Sequence, residues 1–463
     1  MTRRAGQVAA REPVAPSLTD PFARSMSEVI GGPVGTHGRP HRWWVPVRVL
    51  LALFTACFAL MVVHHQPCLK TNWANDQARF AKACYSDIPY LYTLRGLDEG
   101  RWPYAANGGR FEALEYPPGI AYLAWVAAEV TLLHPSGPPV EQRLRGDPAA
   151  AWSLPGMTTE VNTYFLVTAL FLGGFGLLSV WFLAATHPGR PWDALPFVLS
   201  PALLLTGLIN WDLMAVAMVT GALWAWARGR PLLSGVLLGL GAATKLYPLF
   251  LLGPVVVVAV RERAWDRALR VCAGTAAGWL LMNLPALLTG FGVWKRFWTF
   301  NSGRGPDLGS IWLAVSQEGG PLASATTVNR WSWLVFGAVC VGVAALGLRA
   351  RRTPRVAQLG LLVVTGFLLV NKVYSPQYVL WLLPLAVLAR PRWRDLLIWQ
   401  AGEVLYVVGV WVYLGGWLES AVPGQAPFYG YAIWARVAAE VYLAAVVVRD
   451  VLRPEHDPVE ELS

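Results

Sequence analysis

Lysine is nearly missing from this chain. Only Lys70, Lys82, Lys245, Lys295 and Lys372 are lysine among 38 basic residues, so arginine carries almost all the positive charge. Charged residues as a whole make up 14% of 463 residues, and 55% are hydrophobic. That balance excludes an ordinary soluble domain. The seven histidines form no metal-ligand spacing. No strand-loop-helix pattern for a dinucleotide is present, and Gly239-Leu240-Gly241-Ala242-Ala243-Thr244-Lys245 lacks the spacing of a phosphate loop. Nucleotide-driven chemistry is therefore not expected. No repeat of solenoid type appears. No cleavable signal peptide is expected at the start of the chain, and no linker is long enough for a separate soluble domain.

What the chain has is apolar sequence. A spanning helix needs roughly 20 apolar residues. Candidate segments are 49–65, 118–134, 161–186, 192–209, 213–227, 231–244, 246–260, 271–288, 331–348, 356–371, 376–389, 396–414 and 431–448. The fold expected is an all-α polytopic membrane protein with about 11–13 transmembrane helices. Residues 1–45 read as a disordered basic cytoplasmic tail, 46–450 as the membrane domain and 451–463 as a cytoplasmic C-terminal tail.

The net charge of +10 does not point to nucleic acid, because the arginines flank apolar segments. Arg228 with Arg230, Arg261 with Arg263, and Arg349 with Arg351 and Arg352 follow the positive-inside pattern. The partners expected are membrane lipids. One parity conflict arises: the arginines place 135–160 outside, yet a crossing at 118–134 would deliver it inside. Either 118–134 does not fully cross, or one cluster is misassigned. Cys57, Cys272 and Cys340 fall in apolar segments and read as small core residues. Cys68 and Cys84 share the first outer loop, where an oxidising environment would let them pair and a reducing one would leave free thiols.

Two stretches stand out. Arg230 to Arg261 is broken by Thr244-Lys245-Leu246-Tyr247-Pro248, and Arg355 to Arg390 by Asn371-Lys372-Val373-Tyr374-Ser375-Pro376. Each must go out and return. Half-segments of about 15 residues rise only ~22 Å, against a hydrocarbon core of ~30 Å. The tips should lie below the outer surface. A charge there is costly unless it lines a wet cavity, so Lys245 and Lys372 are candidates for jointly holding an anion as compact point charges. Helix capping or snorkelling is the alternative.

The first outer loop holds Asp87 among Tyr85, Tyr90, Tyr92, Trp102 and Tyr104, followed by Glu115-Tyr116-Pro117-Pro118. A carboxylate in a pocket of low dielectric gains proton affinity and suits a general base. A helix N-cap or a salt bridge to Arg95 is the alternative for Asp87. Asn210 and Asp212 stand between two apolar segments; Asp212 can bind substrate hydroxyls or cap 213–227. In the loop read over 289–330, Val293 to Phe300 is an aromatic-basic stretch suited to the membrane interface, and Arg304 can clamp a phosphate bidentately.

Taken in order, Asp87 with Pro103-Tyr104, Tyr116-Pro117-Pro118, Lys245-Leu246-Tyr247-Pro248 and Ser375-Pro376-Gln377-Tyr378 resemble glycosyltransferase family 87, of the C-type superfamily. The resemblance covers roughly residues 47–450. It departs at Leu208-Ile209-Asn210-Trp211-Asp212, where many relatives look more like Gly-Gln-x-Asn. Members include actinobacterial mannosyltransferases, and the excess of arginine over lysine fits a GC-rich genome. The resemblance implies an inverting transfer of a hexose, mannose in the first place, from a polyprenyl-phosphate sugar to a glycolipid or glycan. It implies Asp87 as base, with Tyr116, Lys245, Tyr247, Arg304, Lys372, Tyr374, Gln377, Tyr378, Asn210 and Asp212 as substrate-binding candidates. No cofactor, metal or nucleotide is expected. A lipid-linked sugar flippase, or a scaffold for envelope assembly, remains the competing class.

Overall fold

The computed structural model describes residues 20–30, 43–106, 109–420 and 424–459, and among these it holds helices and no strand. The expected tail 1–45 lies partly outside the described residues, as do 460–463. Where it is described, it is not disordered. Asp20 accepts from the backbone N–H of Phe22 and Ala23 and opens α1 (Pro21–Ile30). The other oxygen of Asp20 accepts from Trp393 N at 3.0 Å.

The main helices follow as α2 (Pro46–His64), α3 (Pro118–Leu132), α4 (Met157–Thr186), α5 (Asp212–Ala227), α6 (Pro231–Ala242) and α7 (Tyr247–Arg261). Then come α8 (Trp265–Gly303), α9 (Ala325–Arg349), α10 (Val356–Val370), α11 (Pro376–Ala389), α12 (Trp393–Leu414) and α13 (Pro427–Leu452). Among the described residues, α2 with its extension to Lys70, α4, α8, α9, α12 and α13 are long and apolar enough to cross a membrane. The chain is a multi-pass membrane protein. The shorter apolar helices α3, α5, α6, α7, α10 and α11 have 10–17 residues each. The last four are the half-length arms read in the sequence, and Lys245 and Lys372 sit between them.

Three expectations change. Segment 192–209 is not one helix: Pro191, Pro196 and Pro201 each restart it, because proline supplies no N–H and favours the first turn. The stretch 289–303 is not loop. It continues α8 past Pro285 and a kink at Gly290 (φ −169°, ψ 66°), where a Cβ would overlap the Tyr104 carbonyl. The parity conflict resolves at α3. Residues after it pack back on the Asp87 loop: Arg143 donates to Asp98 O at 2.7 Å and Arg110 to Gly146 O at 3.0 Å. Fifteen residues rise only ~22 Å. Helix α3 therefore enters and ends on one side.

A buried ion pair fastens that side. Arg143 meets both oxygens of Glu160 at 2.6 and 2.8 Å, and Tyr92 and Gly137 N donate to the same carboxylate. Cys68 and Cys84 form a disulfide under the loop. The opposite face is knit by arginine. Arg390 pairs with Asp395 and Asp450, each at 2.6 Å. Arg355 and Gln358 hold Asp457, which is buried. The C-terminal segment from 451 is thus docked as far as it is described, not a free tail.

The α6–α8 contact depends on missing side chains. Gly235 and Gly239 of α6 face Gly274 and Gly278 of α8, and a Cβ at any of them would overlap a backbone carbonyl of the other helix. Such close approach replaces the hydrophobic drive that lipid cannot supply. Gly235→Leu should therefore destabilise the protein by about 3 kcal/mol through overpacking. Gly253→Ala, where a Cβ meets nothing within 4 Å, should not. Thermal unfolding in detergent compares the two; equal melting temperatures would contradict this packing.

Candidate functional site

Each piece of the site comes from a place where a helix stops early. The loop after the disulfide brings Asp87 to the break before α5: Asp87 N donates to Ile209 O at 2.8 Å, and Ser86 Oγ to Leu208 O at 2.8 Å. Pro117-Pro118 starts α3, and Gly119 N donates to Ala243 O at 2.8 Å. A Cβ on Gly119 would overlap the Thr244 side chain. Only glycine lets the start of α3 reach the tip that carries Lys245. The second tip is pinned in the same way, with Asp307 N donating to Lys372 O and Tyr374 N to Leu308 O.

These elements enclose a cavity of about 810 Å³. Asp87, Tyr116, Asn210, Lys245 and Tyr247 line it, together with Arg304, Lys372, Gln377 and Tyr378. Asp87 lies at the N-cap position of a short helix, Ile88–Leu94, yet its side chain caps nothing. It does not pair with Arg95, which bonds Glu115 at 2.8 Å. Its Oδ1 accepts from Tyr85 Oη at 2.9 Å and its Oδ2 from Asn210 Nδ2 at 2.8 Å. Burial raises the Asp87 pKa above the usual carboxylate range; the Asn210 and Tyr85 hydrogen bonds and the Lys245 charge oppose that, and Asp212 adds to it.

Asn210 also donates to Tyr116 Oη at 2.8 Å and accepts from Lys245 Nζ at 3.4 Å. The Lys245 ammonium lies 5.2 Å from the Tyr116 ring centroid and 3.4 Å from Asp212 Oδ2. Lys372 Nζ donates to the Asn301 carbonyl, and to Asn329 Oδ1 at 2.7 Å. An ammonium has three donors, so one remains for an anion. Burial lowers the Lys372 pKa, and Arg304 adds to that.

Two sequence readings need correction, and a third is narrowed. Asp212 neither caps α5 nor faces the cavity. It is fully buried, accepts from Trp381 Nε1 at 2.6 Å and holds Lys245 from behind. Tyr374 is also off the cavity wall: it is fully buried and donates to Glu403 at 2.8 Å. Arg304 lines the cavity, but its Nε and Nη2 already bind Asp307 at 2.8 and 2.5 Å. That occupies one edge of the guanidinium and leaves its Nη1–Nη2 end for a phosphate.

Sequence reasoning did not single out Asn329 and Trp411, which also line the cavity. Both sit in apolar helices where nothing in the pattern marks them. Tyr85 of the aromatic loop around Asp87, and Trp381 just after the Ser375-Pro376-Gln377-Tyr378 motif, line it as well. Trp381 stacks between Tyr378 and Tyr247, with ring centroids 4.0 and 4.5 Å away. Among the described residues, no group of three or more His, Cys, Asp or Glu is placed to hold a metal ion.

A site that sets a half-buried carboxylate and two lysines around one cavity suits a reaction in which a proton is removed and an anion departs. Among solved structures, the crystal structure of ArnT from Cupriavidus metallidurans bound to undecaprenyl phosphate is similar at 14% identity. The likeness covers 78% of this chain and 76% of that one, with a TM-score of 0.36. No curated protein matches the chain. The model of glycosyltransferase family 87 matches residues 115–371, which include Tyr116, Asn210, Asp212, Lys245, Tyr247 and Arg304 and begin downstream of Asp87. With more than half of its length in that match, the chain belongs to glycosyltransferase family 87 and is a membrane glycosyltransferase.

Proposed function

We propose that this glycosyltransferase moves a hexose, mannose in the first place, from a polyprenyl-phosphate donor to a glycolipid or glycan of the cell envelope. The reaction runs on the extracytoplasmic face of the plasma membrane and inverts the anomeric centre. The observation that carries the reading is the half-buried Asp87 carboxylate, joined through one amide to Lys245 on the wall of a single cavity. Asp87 takes the proton of an acceptor hydroxyl. The oxygen attacks the anomeric carbon and forms the new C–O bond. The old bond to the phosphate oxygen breaks, and its electron pair leaves with polyprenyl phosphate. That leaving group is already an anion and needs charge stabilisation rather than a general acid. Lys245 and the uncommitted donor of Lys372 supply it.

Three further features support the reading. Trp298 and Trp333 with Phe336 and Phe367 make one flank of the cavity apolar, between α8, α9 and α10. That flank suits an isoprenoid chain. The disulfide lies on the Asp87 side, as an oxidising exterior would allow. The arginine-rich face lies opposite, as the cytoplasmic side should.

Asp87→Asn should lower turnover by about 10²–10⁴-fold, the usual worth of a general base, while donor binding persists. Near-normal turnover by purified Asp87→Asn in nanodiscs would place the base elsewhere. Lys245→Ala and Lys372→Ala should each raise the donor KM about tenfold, the loss of one charge-assisted contact. Donor use equal to wild type in both would remove the anion role.

The pH profile has a defined sign. Asp87 acts only when deprotonated, and burial raises its pKa. Activity should therefore fall on acidification at a pH above the ordinary carboxylate range. Asn210→Ala removes a hydrogen bond that lowers that pKa, so the acid limb of kcat/KM should move to still higher pH. A limb that stays put or moves down would show that Asp87 does not set it.

A further inference from the structure

The cavity has a second wall with no lysine on it. The short helix Asp76–Ala81, capped by Asn75, presents Phe80, and the last turns of α12 present Trp411. With Tyr85 they form a closed aromatic trio. Ring centroids are 6.0 Å apart for Phe80 and Tyr85, 6.0 Å for Phe80 and Trp411, and 5.5 Å for Tyr85 and Trp411. Arg79 lies over the outer edge, 4.9 Å from the Phe80 centroid and 5.8 Å from that of Tyr85, and donates to Tyr90 Oη. Trp411 is only 3% exposed, and its indole Nε1 is buried without a hydrogen-bond acceptor among the described residues. A buried donor left unpaired costs about 1–3 kcal/mol, and native folds keep few of them. A hydroxyl bound at this wall would satisfy the N–H.

The chemistry fixes which substrate the wall faces. An inverting displacement needs the nucleophile and the leaving group on opposite sides of the anomeric carbon. Lys245 is linked to Oδ2 of Asp87 through Asn210, so the leaving phosphate belongs there. Oδ1 of Asp87 receives Tyr85, a member of the trio. On the reading of a base-catalysed transfer given above, we propose that Phe80, Tyr85 and Trp411 form the acceptor subsite and hold a saccharide ring. The C–H face of the sugar packs on the electron-rich ring faces. Trp411 Nε1 donates to a hydroxyl oxygen, and a neighbouring hydroxyl of the same ring points at Asp87. The acceptor is thus recognised by its terminal sugar, whatever anchor carries that sugar.

The test uses the full chain in nanodiscs, polyprenyl-phosphate-mannose as donor and deacylated envelope glycan as acceptor. Trp411→Phe keeps the ring and deletes the N–H; it should raise the acceptor KM about fivefold. Phe80→Ala should raise it about tenfold. The donor KM and the slow transfer to water without acceptor should stay within about twofold of wild type in both, and thermal unfolding shows that each variant is folded. An unchanged acceptor KM in both variants, or an equal rise in donor KM, overturns the subsite. Transfer retained in Asp87→Asn would remove the base while leaving the acceptor KM values to decide the subsite. If wild type transfers nothing, saturation-transfer NMR of the deacylated glycan decides. Contact with wild type that Trp411→Phe weakens supports the subsite, and no contact overturns it.

Discussion

The site depends on one side-chain amide. Asn210 gives its two N–H groups to Asp87 and Tyr116, and its oxygen accepts from Trp211 N at 2.7 Å and from Lys245 at 3.4 Å. Three separate stretches of chain meet there: the loop after the disulfide, the start of α3 and the tip between α6 and α7. A buried carboxylate left without donors would take up a proton or move. By holding one oxygen of Asp87, Asn210 steadies the carboxylate in its half-buried place. By touching Lys245, it sets the cation beside the base without letting the two neutralise each other directly. Asp212 completes the arrangement: its buried carboxylate lies 3.4 Å from Lys245 Nζ, at a depth where a lone ammonium is costly.

That depth follows from helix length. Arms of 12 and 15 residues in the first hairpin, and of 15 and 14 in the second, turn before they would reach the far surface. Broken ends leave backbone groups unpaired, and membrane proteins tolerate this only where protein or water satisfies them. Here protein does so. Gly119 N takes the Ala243 carbonyl, and the 307–308 turn takes the backbone of the Lys372 tip. Short helices, a pinned tip and a lysine inside a cavity are one solution to one constraint. The glycine seam between α6 and α8 lets the first hairpin sit close enough for that solution to hold.

Legibility differed residue by residue. Lys245 and Lys372 were visible because a charge inside an apolar run is expensive, and both line the cavity. Tyr116, Tyr247, Gln377 and Tyr378 came through short motifs, and they line it too. Asp212 and Tyr374 sit in equally suggestive motifs but face away from it, because helix phase and packing, not sequence neighbourhood, decide where a side chain points. Arg304 lines the cavity too, but a local ion pair with Asp307, three residues on, takes one edge of its guanidinium. Trp411 carried no signal, since a tryptophan in an apolar helix looks the same whether it faces lipid or substrate.

The sequence by itself determined the membrane class, the arginine face, the two truncated hairpins and the lysines at their tips. These follow from transfer free energy and from the fixed rise of a helix, which are properties of short stretches. Tertiary structure decided that α3 returns to the side it came from, that 289–303 is helical, and that both described ends dock on the arginine face. It also decided which oxygen of Asp87 faces the cations and which faces the aromatic wall. Those outcomes rest on contacts between residues far apart in the chain, 45 positions from Arg143 to Asp98 and 123 from Asp87 to Asn210, and no local pattern encodes such distances.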